Sequence, residues 1–417
     1  MTPTRRVTQL LSGGGAIAVA MAVMNVATYG FTMVAARLLG PQAYGAFASL
    51  MATLLVITVL QLALQATAAR RIAAEPEHVA QIERTILGVT YRAAVALGLL
   101  LLVLTPVLNA VLRLDSLGTA ALISVISVPF TIMGGQAGIL QGERRWQALA
   151  VLYVLSGVPR LVIGTLLILW HPTEAAAIVG TGIGACAPVI AGWWFLRRPR
   201  HEGVQSEDHG FRRVIAESFH NSQVLLAFFA LSNTDIVIAR NVLTEHDAGL
   251  YAGGLILTKA VLFLPQFVVV VAFPSMATVG ERRRALTASL GLVAVLGAVA
   301  TAGAALLPDL ALVFVGGQQF AEISDHLWIF AILGTVLSML QLLVYSVLAR
   351  QGQRSAYLVW SAFVVLVVLG LTTSSLRGLL AVVITVDSVL LAGLLVISLW
   401  VLRPSVGRVV PAPAEAD

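Results

Sequence analysis

One cysteine and one lysine stand in 417 residues, and both scarcities exclude chemistry. Cys186 alone can form no intramolecular disulfide and cannot build a thiolate metal centre. Lys259 alone leaves no phosphate loop of the Walker type, which needs a glycine-rich turn ending in lysine. The glycine cluster "SGGGA" (12–16) lacks the flanking strand of such a loop and reads as a close-packing site or a helix start. No HExxH helix, GxSxG elbow or paired-acid active site stands out, so the expectation is a non-enzyme without metal or cofactor. Charge is scarce too. Only 11% of residues are charged while 59% are hydrophobic, against roughly 25% charged in a soluble domain. That balance, spread along the chain, describes an all-α polytopic membrane protein.

A helix needs about 20 apolar residues to cross the hydrocarbon core. Twelve stretches qualify, at 10–36, 45–68, 85–111, 117–140, 148–170, 174–196, 216–240, 248–278, 286–315, 322–348, 355–376 and 378–402. The first follows two arginines and runs too far for the core of a cleaved signal peptide, so it reads as a retained span. The net charge of +6 would suggest nucleic acid in a soluble protein. Here the arginines fall in short loops, which is a topology signal. With the N-terminus in the cytoplasm, Arg37, Arg113, Arg240 and Arg377 lie outside, Arg92, Arg160 and Lys259 lie within spans, and all other arginines lie inside. The positive-inside rule then places both termini in the cytoplasm of a multi-pass protein in the cytoplasmic membrane.

The hydrophilic run "RRPRHEGVQSEDHGFRR" (197–213) divides the chain. The expected units are a six-helix lobe over 1–196, a cytoplasmic linker over 197–215, a second six-helix lobe over 216–402 and a disordered tail over 403–417. The halves look related. "QGERRWQALAVLY" (141–153) follows span four and "QGQRSAYLVW" (351–360) follows span ten. "AARLLGPQAYGAF" (35–47) and "IARNVLTEHDAGLYAGG" (238–254) occupy matching places. Six spans per half insert the same way up, a parallel repeat with the substrate path between the lobes.

Polar residues at helical spacing mark faces that avoid lipid. They are Asn25, Thr28 and Thr32 in span one; Thr58, Gln61 and Gln65 in span two; Ser156, Arg160 and Gly164 in span five; Lys259 and Gln266 in span eight; Ser338, Gln341 and Tyr345 in span ten. Small and weakly polar members can equally serve helix packing. Arg160 is different: about twelve residues into its span, it sits about 18 Å deep, too far to reach the headgroups. Lys259 is similarly deep. Such cations face a cavity or a counter-charge. The expected cavity residues are Arg160, Lys259, Arg92, Gln61, Gln65, Asn25 and Gln341. Arg92 is the least specific, being near enough to the inner face to reach phosphate headgroups. Asp235 and Asp387 are acids within spans, each either an ion-pair partner or a coupling site; for Asp235 the candidate partners are Lys259 and Arg240. Pro106, Pro129, Pro159, Pro188, Pro265 and Pro274 are kink candidates.

The ordered segments "AARLLGPQAYGAFASL", "TDIVIARNVLTEHDAGLYAGG", "FLPQFVVVVAFPSMA" and "VFVGGQQFAEISDHLWIFAILG" resemble the polysaccharide-transporter branch of the multidrug/oligosaccharidyl-lipid/polysaccharide exporter superfamily, the O-antigen-type flippases. The resemblance spans roughly residues 8–402. It implies a V-shaped bundle of two six-helix lobes and alternating access to a central cavity. It also implies an anionic cargo, a polyprenyl-diphosphate-linked oligosaccharide, with membrane lipids and a glycan polymerase or glycosyltransferases as partners and no nucleic acid. Asp235 matches an acid in the family's pattern. The alternative is a multidrug or small-molecule cation antiporter of the same superfamily. A membrane polymerase or ligase would need large outer loops, and this chain has only short ones.

Overall fold

The computed structural model describes residues 3–197, 211–262, 282–348 and 353–401. Residues 198–210 of the central linker, the C-terminal tail, Pro265, Gln266, Pro274 and the "FLPQFVVVVAFPSMA" stretch lie outside the described residues, and α7 begins at Phe211, inside the stretch expected to be linker. The described elements are helices α1 (Pro3–Ala74), α2 (Val79–Val103), α3 (Thr105–Leu112), α4 (Leu117–Gly142), α5 (Trp146–Trp170), α6 (Glu174–Leu196), α7 (Phe211–Val242), α8 (Glu245–Leu262), α9 (Arg282–Leu306), α10 (Pro308–Val315), α11 (Leu327–Leu348), α12 (Gln353–Gly370) and α13 (Leu376–Val401), with 3-10 turns at Pro76–His78 and Gln318–His326. An all-helical bundle follows from the composition: hydrocarbon offers no hydrogen bonds, so each spanning backbone must satisfy its own N–H and C=O groups.

Among the described residues, nine segments are long and apolar enough to cross a membrane. Three features separate this number from the twelve expected. Spans one and two form one continuous helix, α1, interrupted only at Gly40 (φ 74°, ψ 173°), which precedes Pro41. The positive φ there is open to glycine at little cost. The two arms fold back on each other, since the rings of Phe31 and Phe47 meet edge to face at 5.7 Å. Span eight is described only to Leu262. The apolar part of α12 is short, Ala356–Gly370. Two expected spans also break. The 85–111 stretch divides into α2 and α3, and 286–315 into α9 and α10; in both cases a proline, Pro106 or Pro308, sits in the first turn of the short helix, where its missing N–H costs nothing. By contrast α4, α5 and α6 run on through Pro129, Pro159 and Pro188.

Packing in the first half rests on small residues, as lipid gives helices no hydrophobic reason to associate. Gly134, Gly138 and Gly142 recur every four residues along α4 and press against Gln61, Gln65 and Ile72 of α1; a Cβ on Gly142 would lie 2.7 Å from Ile72 Cβ. Gly157 of α5 approaches Met24 of α1, where a Cβ would sit 2.8 Å from the Met24 carbonyl, and Gly184 of α6 packs on the Arg160 backbone. In the second half α11 packs against α8, α9 and α13, and α12 against α7 and α13. The two halves meet where α1 packs along α7 and α8.

Candidate functional site

The halves close tightly at the Gly40 end of the bundle. Gly45 of α1 and Gly249 of α8 touch backbone to backbone, so that a Cβ on Gly45 would lie 3.0 Å from Gly249 Cα, and one on Gly249 would collide with the Pro41 carbonyl. Tyr44 meets Phe320 edge to face at 6.2 Å. Gln42 Nε2 donates to Glu245 Oε2, Gln319 Nε2 donates to the Arg37 carbonyl, and the Tyr29 hydroxyl donates to the Phe314 carbonyl at 3.3 Å. Arg240 Nε donates to the Leu112 carbonyl at 2.8 Å, and its Nη2 donates to the Arg113 carbonyl. The α8 start is set locally: the Asp247 amide donates to Thr244 Oγ1 at 3.1 Å, and the Thr244 hydroxyl donates to Asp247 Oδ2 at 2.8 Å, a reciprocal cap.

Beneath this seal lies a cavity of about 130 Å³ between the halves. From the first half come Thr28, Tyr29, Phe31, Thr32, Tyr44, Phe47, Ala48, Met51, Leu55 and Arg160. From the second come Ile236, Ala252, Leu255, Ile256 and Lys259. Among the described residues the wall is mostly apolar, and its two charged side chains are both cations, one from each half. Arg160 is 8% exposed. Its Nη2 donates to Thr28 Oγ1, while its Nε has no partner. Lys259 Nζ donates to Asn233 Oδ1 at 3.4 Å, and Asn233 is held in turn by its Nδ2 donating to the Phe229 carbonyl at 2.9 Å.

Asp235 is buried behind this wall. Its Oδ2 accepts from the Tyr251 hydroxyl at 3.1 Å and its Oδ1 from the Ile236 amide at 2.9 Å. Lys259 is near enough to interact with it electrostatically but forms no ion pair with it. Arg240, the other partner weighed from sequence, is committed to the α3 carbonyls. Asp387 of α13 is 1% exposed, its Oδ1 has no hydrogen-bond partner, and it interacts electrostatically with Asp235 and Tyr251. The fold thus gathers Asp235, Tyr251 and Asp387 from three helices into one buried acidic cluster.

The other sequence-derived candidates lie elsewhere. Gln61 and Gln65 face the α4 glycine stripe, and Gln65 Nε2 donates to Gln141 Oε1 and to the Tyr153 hydroxyl, both at 2.9 Å. Arg92 is exposed on α2. Asn25 is half-buried on α1 and Gln341 is buried in α11, neither on the cavity wall. Ser338 of the same stripe as Gln341 donates to the Gly334 carbonyl at 2.7 Å, a packing bond. The aromatic lining was not singled out from sequence. Its signal was there, since Tyr44, Ala48, Met51 and Leu55, like Ala252, Leu255, Ile256 and Lys259, keep helical spacing. Lipid-facing helices carry the same period.

A search of curated proteins gives no match. Solved structures do match over nearly the whole chain. An inward-facing multidrug resistance MATE family transporter of the MOP superfamily superposes with TM-score 0.73 at 14% identity, covering 93% of this chain and 96% of that one. The eukaryotic MATE transporter AtDTX14 gives 0.68 at 14% identity, covering 94% and 96%. A MOP superfamily transporter from Pyrococcus furiosus, for which a reversed binding-pocket polarity is described as suggesting a different function, gives 0.62 at 15% identity, covering 94% and 95%. At such identities the likeness is one of fold. It corrects the expectation of a lipid-linked-oligosaccharide flippase: the fold is matched by multidrug resistance and other MATE transporters. A family model described as polysaccharide biosynthesis protein matches residues 10–280. The match covers well over half of the sequence. The chain belongs to the polysaccharide biosynthesis protein family.

Proposed function

We propose that the protein is an alternating-access antiporter of a small molecule, carried in the cavity between the halves. The observation that supports this reading best is the cavity itself. It is walled by both halves, carries one embedded cation from each, and is sealed at one end by contacts that rigid-body rocking could release. The finer architecture belongs to the same reading: twelve spans in two parallel six-helix lobes forming a V. The repeated pattern of a long helix followed by an eight-residue helix, α2–α3 and α9–α10, supports it. So does the meeting of Gly45 with Gly249, which occupy matching places in the two halves. With the arginine-rich loops in the cytoplasm, the sealed Gly40 end faces outward, and this conformation is the inward-facing one.

Arg160 and Lys259 contact the cargo. Asp235 and Asp387 couple its movement to a proton or small cation, because the open Asp387 oxygen beside a second carboxylate is where a positive charge is needed. The test is flux of small amphipathic fluorophores in proteoliposomes under imposed proton or sodium gradients. Gradient-driven flux that Asp387→Asn uncouples supports the reading. Absence of flux under every gradient, with protein inserted and folded, overturns it.

A further inference from the structure

The cavity has an uneven distribution of charge. Among the described residues the charged side chains on its wall, Arg160 and Lys259, are both cations, while the nearby acids Asp235 and Asp387 are not part of it. The Asp235 oxygens are taken by Tyr251 and the Ile236 amide, and Asp387 sits deeper still. The two cations are not equivalent. Lys259 leans on Asn233 and feels the field of Asp235. Arg160 has no such relief. Among the described residues its one hydrogen-bond partner is the neutral Thr28 hydroxyl, its buried Nε has none, and no carboxylate pairs with it. A guanidinium that is nine-tenths buried and half-satisfied lacks a counter-charge. Its planar fork offers parallel N–H donors to a carboxylate, sulfonate or phosphate.

We propose that the cavity takes an amphipathic organic monoanion, its acidic group on Arg160 and its apolar body against Phe31, Phe47, Met51 and Leu255. This deepens the antiporter reading and rests on it. The Arg160 guanidinium and the Thr28 hydroxyl, both on the wall and joined to each other, meet the acid together. The mostly apolar remainder of the wall selects a hydrophobic, preferably aromatic, body, whose burial removes its surface from water. One guanidinium without a carboxylate partner among the described residues matches one negative charge. A cationic drug would meet two like charges and no exposed acid, so cations are the disfavoured class.

The test compares two probes with one ring and opposite permanent charge, benzenesulfonate and benzyltrimethylammonium. Binding to the purified full chain is measured by calorimetry, and flux is measured with the same labelled probes in proteoliposomes. Benzenesulfonate should bind and benzyltrimethylammonium should not. Arg160→Gln should weaken benzenesulfonate about tenfold to a hundredfold, the loss of a charge-assisted hydrogen bond, and Arg160→Lys, which keeps the charge, should recover part of it. Should Arg160→Gln fail to fold, the loss of the planar fork in Arg160→Lys carries the comparison, with weakening expected there too. Equal binding by wild type and both variants, or no binding of benzenesulfonate, overturns the proposal. Binding and flux of the cation alone overturns it while leaving the antiporter standing. Arg160-dependent binding of benzenesulfonate without flux of either probe upholds the anion site and overturns the antiporter.

Discussion

Gly45 and Gly249 come from opposite halves and meet with 3.0 Å between a Cβ built on one and the Cα of the other. No side chain fits between them, so this contact closes one end of the cavity between the halves. Gly249→Val would drive its side chain into the Pro41 carbonyl and the Gln42 amide. Overpacking of this kind costs about 1–3 kcal/mol. The sealed state is the one affected, so the variant should insert, show flux reduced by about tenfold or more, and open the Gly40 end to water. Labelling of a cysteine placed at Ala48, on the cavity wall beneath the seal, by a membrane-impermeant reagent added from the Gly40 side, in a background with Cys186 replaced, checks the opening. Unchanged protection there would show that the glycine pair is not the seal.

Tyr251 donates to Asp235 at 3.1 Å inside a fully buried setting. Tyr251→Phe leaves a carboxylate oxygen without that donor, which costs about 1–3 kcal/mol. Thermal unfolding of the purified protein should shift downward by several degrees. Asp387→Asn should not destabilise, because the replaced oxygen has no hydrogen-bond partner to lose. A large drop in melting temperature for Asp387→Asn would point to a structural role instead.

Arg240 ties α7 to the end of α3 through two carbonyls, those of Leu112 and Arg113. Arg113 adopts φ 47°, ending the short helix and turning these acceptors towards α7. A lysine has one donor centre and cannot span both. Arg240→Ala and Arg240→Lys should therefore destabilise alike, by about 1–3 kcal/mol. Recovery of wild-type melting by the lysine variant would show that charge, not the fork, is what matters.

The α4 glycine stripe can be tested against an inert glycine. A Cβ at Gly138 would lie 2.7 Å from Ala68 Cβ and closer still to the Gln65 backbone, whereas one at Gly291 of α9 meets nothing within 4 Å. Gly138→Leu should abolish a monodisperse species in size-exclusion chromatography. Gly291→Ala should be neutral or stabilise by up to about 1 kcal/mol through helix propensity.

Why the cargo was misjudged from sequence has a physical answer. Segments such as "AARLLGPQAYGAFASL" report helix turns and the Gly45 contact, which are properties of the fold. The size of the enclosed space depends on Phe31, Tyr44, Phe47 and Leu255 meeting across the halves. No single segment carries that information, and membership of one fold family is compatible with many cargoes.

Hydropathy is a local property, so the chain alone determined the membrane class, nearly every helix, and the placing of Arg160 and Lys259 inside apolar helices. Burying a cation far from the headgroups is costly wherever the neighbours are. Tertiary structure alone decided which polar faces look at what. Gln61 and Gln65 turned to the glycines of α4, while Thr28 and Thr32 turned to the cavity, although all four keep the same helical spacing. It alone brought Asp387 to Asp235 and Tyr251, three residues on three helices whose separation in sequence leaves no periodic trace. Which faces of apolar helices meet is settled by the fit of side chains across them, and that fit exists only once the helices are packed.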